Sequence, residues 1–211
     1  QEPVSIEQYK LERVTPRIHV VHGPDGLPNT GNRGFINNPA AILTPHGVIV
    51  VDPGSSNETG QQFLKKLRAL TRNPVIAVFN THVHGDHWLG NHAIRAAYPN
   101  VPIYAHRRMI NRVNTGEGED WLKLFMGMTK GAVAGTRVVG PNIGLQGGEA
   151  LVLDGVALRI HHLGPAHTDH DLLIEVVEDR AMLCGDVVVV GHLPNSDVPR
   201  DADFGGTIKA I

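Results

Sequence analysis

Residues 80–91 read Asn80-Thr81-His82-Val83-His84-Gly85-Asp86-His87-Trp88-Leu89-Gly90-Asn91. Three histidines and one aspartate fall within six positions. Polar groups this dense are costly to bury unless something satisfies them. The stretch follows an apolar run at 75–79, whose composition predicts a strand covered on both faces. In extended backbone, residues i and i+2 point the same way, so His82 and His84 can grip one ion. Gly85 allows a sharp turn. Asp86 and His87 then point elsewhere, toward a second ion nearby. A helix opening here puts the Asp86 carboxylate at its positive N-terminal end. Imidazole and carboxylate are zinc ligands, and they also suit iron or manganese.

Working outward, 17–21 predicts a first strand and the turn-rich 23–32 a loop. Two strands follow at 34–43 and 48–51, joined through Thr44-Pro45-His46-Gly47. Phe63, Leu64, Leu67 and Leu70 share one helical face, predicting a helix over 58–71 with Asn57 as its N-cap. A short helix is predicted at 88–97, a strand at 101–105, and a helical stretch over 106–130 broken at Gly116 and Gly118. The Gly-rich 131–148 reads as loop. The last third predicts strands at 150–153, 157–163, 172–177, 181–184 and 187–190, with Asp154-Gly155 as a hairpin turn. This order predicts layered sheets with helices outside, in one domain over 1–211. The 24–34 loop is as consistent with a surface connection as with a flap.

Two further stretches set polar groups directly after an apolar run: 164–170, Gly-Pro-Ala-His-Thr-Asp-His, and 184–186, Cys-Gly-Asp. Loops at strand ends carry functional groups on a rigid scaffold. Taken alone, His167 and Asp186 are as consistent with ordinary loop positions as with ligands. His170 reads as a solvated loop residue, the alternative being a contact to substrate or to a metal ligand, and Cys184 as a small buried hydrophobe. His19, His22, His46, His92, His106, His161, His162 and His192 read as solvated or hydrogen-bonded side chains.

The net charge of -2 and the lack of a basic run argue against a nucleic-acid surface. No apolar run is long enough to span a membrane. With one cysteine there is no internal disulfide. A start at Gln1-Glu2-Pro3 suits a processed, exported or periplasmic protein, a cytoplasmic one being the alternative.

His82-x-His84-x-Asp86-His87 resembles the signature of the metallo-β-lactamase superfamily. Val50-Val51-Asp52-Pro53-Gly54 before the first long helix, His167 in a Gly-x-x-His-Thr setting, and Gly185-Asp186 after a strand match in the family's order. The resemblance implies an α/β fold, an αββα sandwich with a metal site at one edge. It implies two zinc ions, His82, His84 and His167 holding the first, Asp86 and His87 the second, and Asp186 bridging them. It implies zinc-dependent hydrolysis of a small-molecule amide, ester, lactone or thioester, β-lactams included, by a hydroxide generated on the metal. Asp86 would be catalytic, orienting the nucleophile and carrying a proton. Asp186 stands where many antibiotic-hydrolysing members have Cys, which points to the glyoxalase II-like branch or a general hydrolase. His84 stands where flavodiiron proteins have Glu, which points away from that redox branch.

Two alternatives remain. One is a mononuclear iron dioxygenase oxidising a sulfur substrate with His82, His84, His167 and Asp186. The other is a non-catalytic metal-binding domain. The family has a further metal-binding His in a turn near its C-terminus. Here 203–211 reads as the start of the preceding helix, and His192 is the only histidine after His170. The sequence therefore predicts a sandwich shortened at its C-terminus, without its last strand and helix. Substrate and oligomeric state stay open.

Overall fold

The computed structural model describes residues 5–191. The chain runs through β1 (Leu11–Arg13), β2 (Ile18–Val21), β3 (Ala40–Leu43), β4 (Val48–Val51), α1 (Asn57–Leu70) and β5 (Val75–Phe79). It continues through α2 (Gly85–Trp88), α3 (Asn91–Ala97), β6 (Ile103–His106), α4 (Arg107–Arg112), α5 (Gly118–Met128) and β7 (Ile143–Leu145). The hairpin β8 (Ala150–Leu153) and β9 (Val156–His161) is followed by β10 (Leu173–Val176) and β11 (Ala181–Leu183). Strands β1 to β7 form one sheet in sequence order, and β11-β10-β9-β8 form a second. The first sheet is antiparallel from β1 to β4 and parallel from β4 to β7.

The apolar runs show why the layers form. In β4, Val48 and Val50 face α1 and α3, while Ile49 and Val51 face the second sheet. In β5, Val78 points to the helices, and Ala77 and Phe79 to the other sheet. A strand that alternates between two buried faces has to be apolar throughout. Phe63, Leu64 and Leu67 of α1 and Ile94 of α3 cover one side. Leu158, Ile160 and Ile174 of the second sheet cover the other. Each such side chain contributes about 1.5–3 kcal/mol when fully buried. The predicted α/β sandwich of two facing sheets with helices outside is therefore observed. The outward side of the second sheet leaves Val152 71% exposed. Residues 192–211, with His192 and the predicted terminal helix, lie outside the described residues. No described helix is long and apolar enough to cross a membrane.

Several boundaries differ from the sequence expectations. The N-cap of α1 is Ser56, not Asn57: Ser56 Oγ accepts from Thr59 N–H, and Thr59 Oγ1 accepts from Ser56 N–H. Of 34–43 only Ala40–Leu43 is strand, because Asn37 turns inward and its amide donates to Asp52 O at 2.9 Å. The helix predicted at 88–97 is two pieces, because Gly90 N–H leaves the ladder to reach Gly54 O at 2.7 Å. Three-residue β1 and β7 carry too few residues to show a period. The strand predicted at 187–190 is absent, since Gly185–Val187 forms a 3-10 turn. The break near Gly116 and the Asp154-Gly155 turn are as predicted, with Gly116 at φ 116°, Asp154 at φ 43° and Gly155 at φ 80°.

A Cβ on Gly90 would lie 2.6 Å from Pro53 O and 3.1 Å from Gly54 N. That backbone carries Asp52 and cannot yield freely. Gly90→Ala should therefore destabilise the fold by about 1–3 kcal/mol of overpacking despite the better helix propensity of Ala, seen as a lower urea midpoint. An unchanged or raised midpoint would contradict this packing.

His106 caps α4, its Nδ1 accepting from Arg108 N–H at 3.1 Å. Burial, then the neighbouring His162 and His170, push its pKa down to about 4 from the ordinary 6.5. A folded value below the unfolded one gives stability that is present above pH 6.5 and lost as pH falls through about 4. His106→Asn keeps an acceptor and removes the titration. Thermal melts of metal-free protein across that window should show a shallower acid decline in the variant.

Candidate metal centre

Parallel pairing sets the site. Val51 of β4 lies beside Phe79 of β5, so the residues leaving both strands emerge together. Asp52 follows β4 with φ 50°, a left-handed turn that aims its carboxylate across at Thr81. His82 and Val83 lie in a bend, not in the extended segment the sequence suggests, His84 is extended, and α2 then brings round Asp86 and His87. His167 comes from the loop after β9, and Asp186 from the 3-10 turn after β11. A Cβ on Gly185 would meet Thr81 Oγ1 at 2.7 Å, which is why this turn has no larger residue.

All six predicted site residues converge. His82, His84, His167 and Asp186 bring one ligand atom each to within 4.8 Å of the others. Asp86, His87 and Asp186 form a second such group. His84 Nδ1 faces His167 Nε2 at 3.0 Å. His82 Nε2 is 3.9 Å and His167 Nε2 3.6 Å from Asp186 Oδ2. The other oxygen, Asp186 Oδ1, is 3.2 Å from His87 Nε2, which lies 3.1 Å from Asp86 Oδ2. Asp186 thus divides its two oxygens between the groups.

The donors fit cations. His82 is wholly buried, and its Nε2 has no hydrogen-bond partner among the described residues. Leaving such an atom bare costs about 1–3 kcal/mol, which a cation facing it would offset. Burial, then His87, His84 and His167, push the His82 pKa well below its ordinary value. Burial and His167 bring His84 down to about 4. Both rings are neutral near pH 7, as ligands must be. Burial also disfavours the charge on His87, but Asp186, Asp86 and Asp52 outweigh it and hold its pKa well above 6.5. Burial opposes the Asp186 charge as well, and His87, His167 and His84 overcome it to keep the carboxylate ionised. A cation can take the place of the proton held between these carboxylates.

Residues not predicted as site residues hold the ligands in place. Asp52 accepts from Thr81 N–H at 2.9 Å, from Thr81 Oγ1 at 2.7 Å and from His87 Nδ1 at 2.8 Å. Thr81 Oγ1 in turn accepts from His82 Nδ1 at 3.0 Å. These bonds occupy Nδ1 of both His82 and His87 and turn each Nε2 toward the donor groups. His170 is fully buried, not solvated as its loop position suggests. Its Nε2 accepts from Val83 N–H at 3.1 Å and its Nδ1 faces Asp169 Oδ1 at 2.6 Å. Trp88 Nε1 donates to Val83 O at 2.7 Å, so the peptides on both sides of Val83 are clamped. The sequence signal for Asp52 was its place in the Asp-Pro-Gly turn, whose pairing with Thr81 is non-local. His170 carried no signal beyond its residue type.

The other histidines join no donor group among the described residues. His46 pairs with Asp154, His161 with Glu175, and His162 with Asp171 O. Cys184 is half-buried against Ala166, Leu173 and Val187, and burial raises its thiol pKa. Five of the six donors, His82 being buried behind them, line a cleft of about 1240 Å³ together with the 22–28 loop, α5 and the β11 segment. Of the 24–34 loop, residues 25–28 line the cleft. Trp121 of α5 lies beside His84, with ring centroids 4.9 Å apart.

Comparison with known proteins agrees. The family model of the metallo-beta-lactamase superfamily matches residues 33–211. The chain belongs to this superfamily. A hydroxyacylglutathione hydrolase of Francisella tularensis subsp. holarctica is 26% identical over 161 residues, covering 74% of this chain and 51% of the relative. The chain thus spans about half the length of that curated relative. The metallo-beta-lactamase from Pontibacter korlensis superposes with a TM-score of 0.73 at 15% identity, covering 96% of this chain and 84% of the other. FIM-1 from Pseudomonas aeruginosa, a metallo-beta-lactamase in a mono-zinc form, gives 0.72 at 15% identity, covering 100% and 83%. At that identity these structures establish a shared fold.

Asp52→Asn keeps the size of the side chain and removes the charge that both His87 and Thr81 lean on. It should weaken metal binding about 10–100-fold, measured by competition with a chromophoric chelator. Wild-type affinity in this variant would show that Asp52 does not orient the ligands.

Proposed function

We propose that the protein is a zinc-dependent hydrolase of carbonyl substrates, in the general hydrolase or glyoxalase II-like branch of its superfamily. The observation that carries this reading is the pair of donor groups sharing Asp186. His82, His84 and His167 would hold one ion, Asp86 and His87 the second, with Asp186 between them. Bound zinc acidifies water to a pKa of about 7 and polarises a carbonyl oxygen. Asp86 is the catalytic residue: its carboxylate faces the cleft beside His87, where it can orient a water and take its proton. The same carboxyl can return that proton to the leaving group. Asp52 and Thr81 keep the imidazole tautomers fixed, and His170 holds the backbone between His82 and His84. Trp121 and Phe125 line the cleft, with the Trp121 ring beside His84. The second donor group favours this reading over a one-iron dioxygenase, which would leave Asp86 and His87 without a role.

Elemental analysis of protein purified without added metal tests the proposal. About two zinc ions per chain are expected. A single iron would transfer the assignment to the dioxygenase. The double variant His82→Ala, His84→Ala should lose tight binding of the first ion. Asp86→Asn should lower kcat for an ester by about 10²–10⁴-fold. Full activity in Asp86→Asn would remove it from the mechanism.

A further inference from the structure

The donor cluster sets the reaction class, and the cleft walls set what can reach it. Val14, Leu27, Leu124, Met182, Val188 and Val190 all line the cleft and are all exposed. They are six of the ten exposed large apolar side chains among the described residues. Single exposed apolar residues are ordinary, but a gathered patch around a concave site marks a ligand groove. They come from separate parts of the chain: the turn before β2, the loop after it, α5, and both sides of the Asp186 turn. The cleft, about 1240 Å³, is far larger than a short acyl group needs.

Charge narrows the choice. No Lys or Arg among the described residues lines the cleft. Apart from the donors and Asp52, its titratable side chains are His22, Asp25 and Cys184. Recognition of a carboxylate or phosphate away from the metal calls for an Arg fork or a Lys point charge. An anionic substrate tail would give up its hydration here to face Asp25, the uncharged amides of Asn37 and Asn38, His22 and a set of hydrocarbon side chains, with no Arg or Lys among the described residues to pair with it. An uncharged hydrocarbon tail gains by leaving water.

We propose that the cleft takes an uncharged ester, thioester or lactone whose acyl group is a hydrocarbon chain. The chain would lie along Leu27, Leu124 and Met182, with the carbonyl over the donor cluster. Its reaction half rests on the hydrolase reading, while its binding half does not. The substrate class differs from what the Francisella relative's name describes, since a glutathione conjugate carries carboxylates.

Two measurements on the full chain test this. The first compares kcat/KM of zinc-supplemented protein for p-nitrophenyl esters from acetate to octanoate, and for the p-nitrophenyl monoester of glutarate. Each added methylene should raise kcat/KM by about three- to fourfold until the wall is filled. The glutarate monoester should be at least about tenfold poorer than the pentanoate ester of the same length. The second measures binding of 2-octanone, uncharged and not hydrolysable, by calorimetry. The protein should bind it, and Leu124→Asp should weaken binding about tenfold or more. No gain with chain length, a preference for the glutarate ester, or no binding of 2-octanone would overturn the proposal. Binding of 2-octanone that Leu124→Asp weakens, with no ester turned over, would uphold the cleft assignment and remove the hydrolase reading instead.

Discussion

The Asp52 carboxylate is the point on which the site depends. It is buried, it accepts from Thr81 and His87, and through Thr81 it fixes His82. One side chain therefore sets the tautomer of a histidine in each donor group. Its own position follows from the parallel pairing of β4 and β5, which ends both strands at the same level. The chain of cause is short: apolar strands pair, their ends align, and the polar residues just past the ends meet. A buried acidic group would be a liability in a core, but three donors compensate it here.

The second sheet supplies the rest. His167 and Asp186 follow β9 and β11, strands of a sheet held to the first by apolar packing and by polar links such as Thr44 to Asp154 and Leu172 N–H to Thr81 O. Asp171 accepts from both Thr168 N–H and Thr168 Oγ1, which shapes the loop carrying His167. The donor cluster is thus assembled from two sheets, and a cation would tie them together at one edge. This arrangement concentrates titratable groups in a buried place, and burial first, then the neighbouring histidines, depress the basicity of His82 and His84.

Much of this was legible in the sequence. The His82–His87 cluster was legible from residue types and spacing, but the bend at His82 and Val83, held by His170 and Trp88, was not. The apolar runs of β4 and β5 disclosed strands buried on both faces. His167 and Asp186 were not decidable from spacing, because their approach depends on how two sheets face each other. They gained meaning from the order of motifs along the chain. Asp52, Thr81 and His170 were missed as site residues because their work is done through hydrogen bonds across 29, 1 and 87 positions of sequence to Thr81, His82 and Val83. Boundary misses had similar origins: Gly90 and Asn37 leave their expected elements for backbone partners that no local pattern reveals. The Gly185 turn displaced a predicted strand because the chain must bend over Thr81 to deliver Asp186.

The central claim is that Asp186 joins two metal-binding groups organised from Asp52. The most direct measurement is anomalous diffraction at the zinc edge from crystals of the full chain grown with zinc. The account predicts one peak among His82, His84 and His167, another beside Asp86 and His87, and the Asp186 carboxylate in contact with both. A single peak, or zinc bound away from these residues, would contradict it.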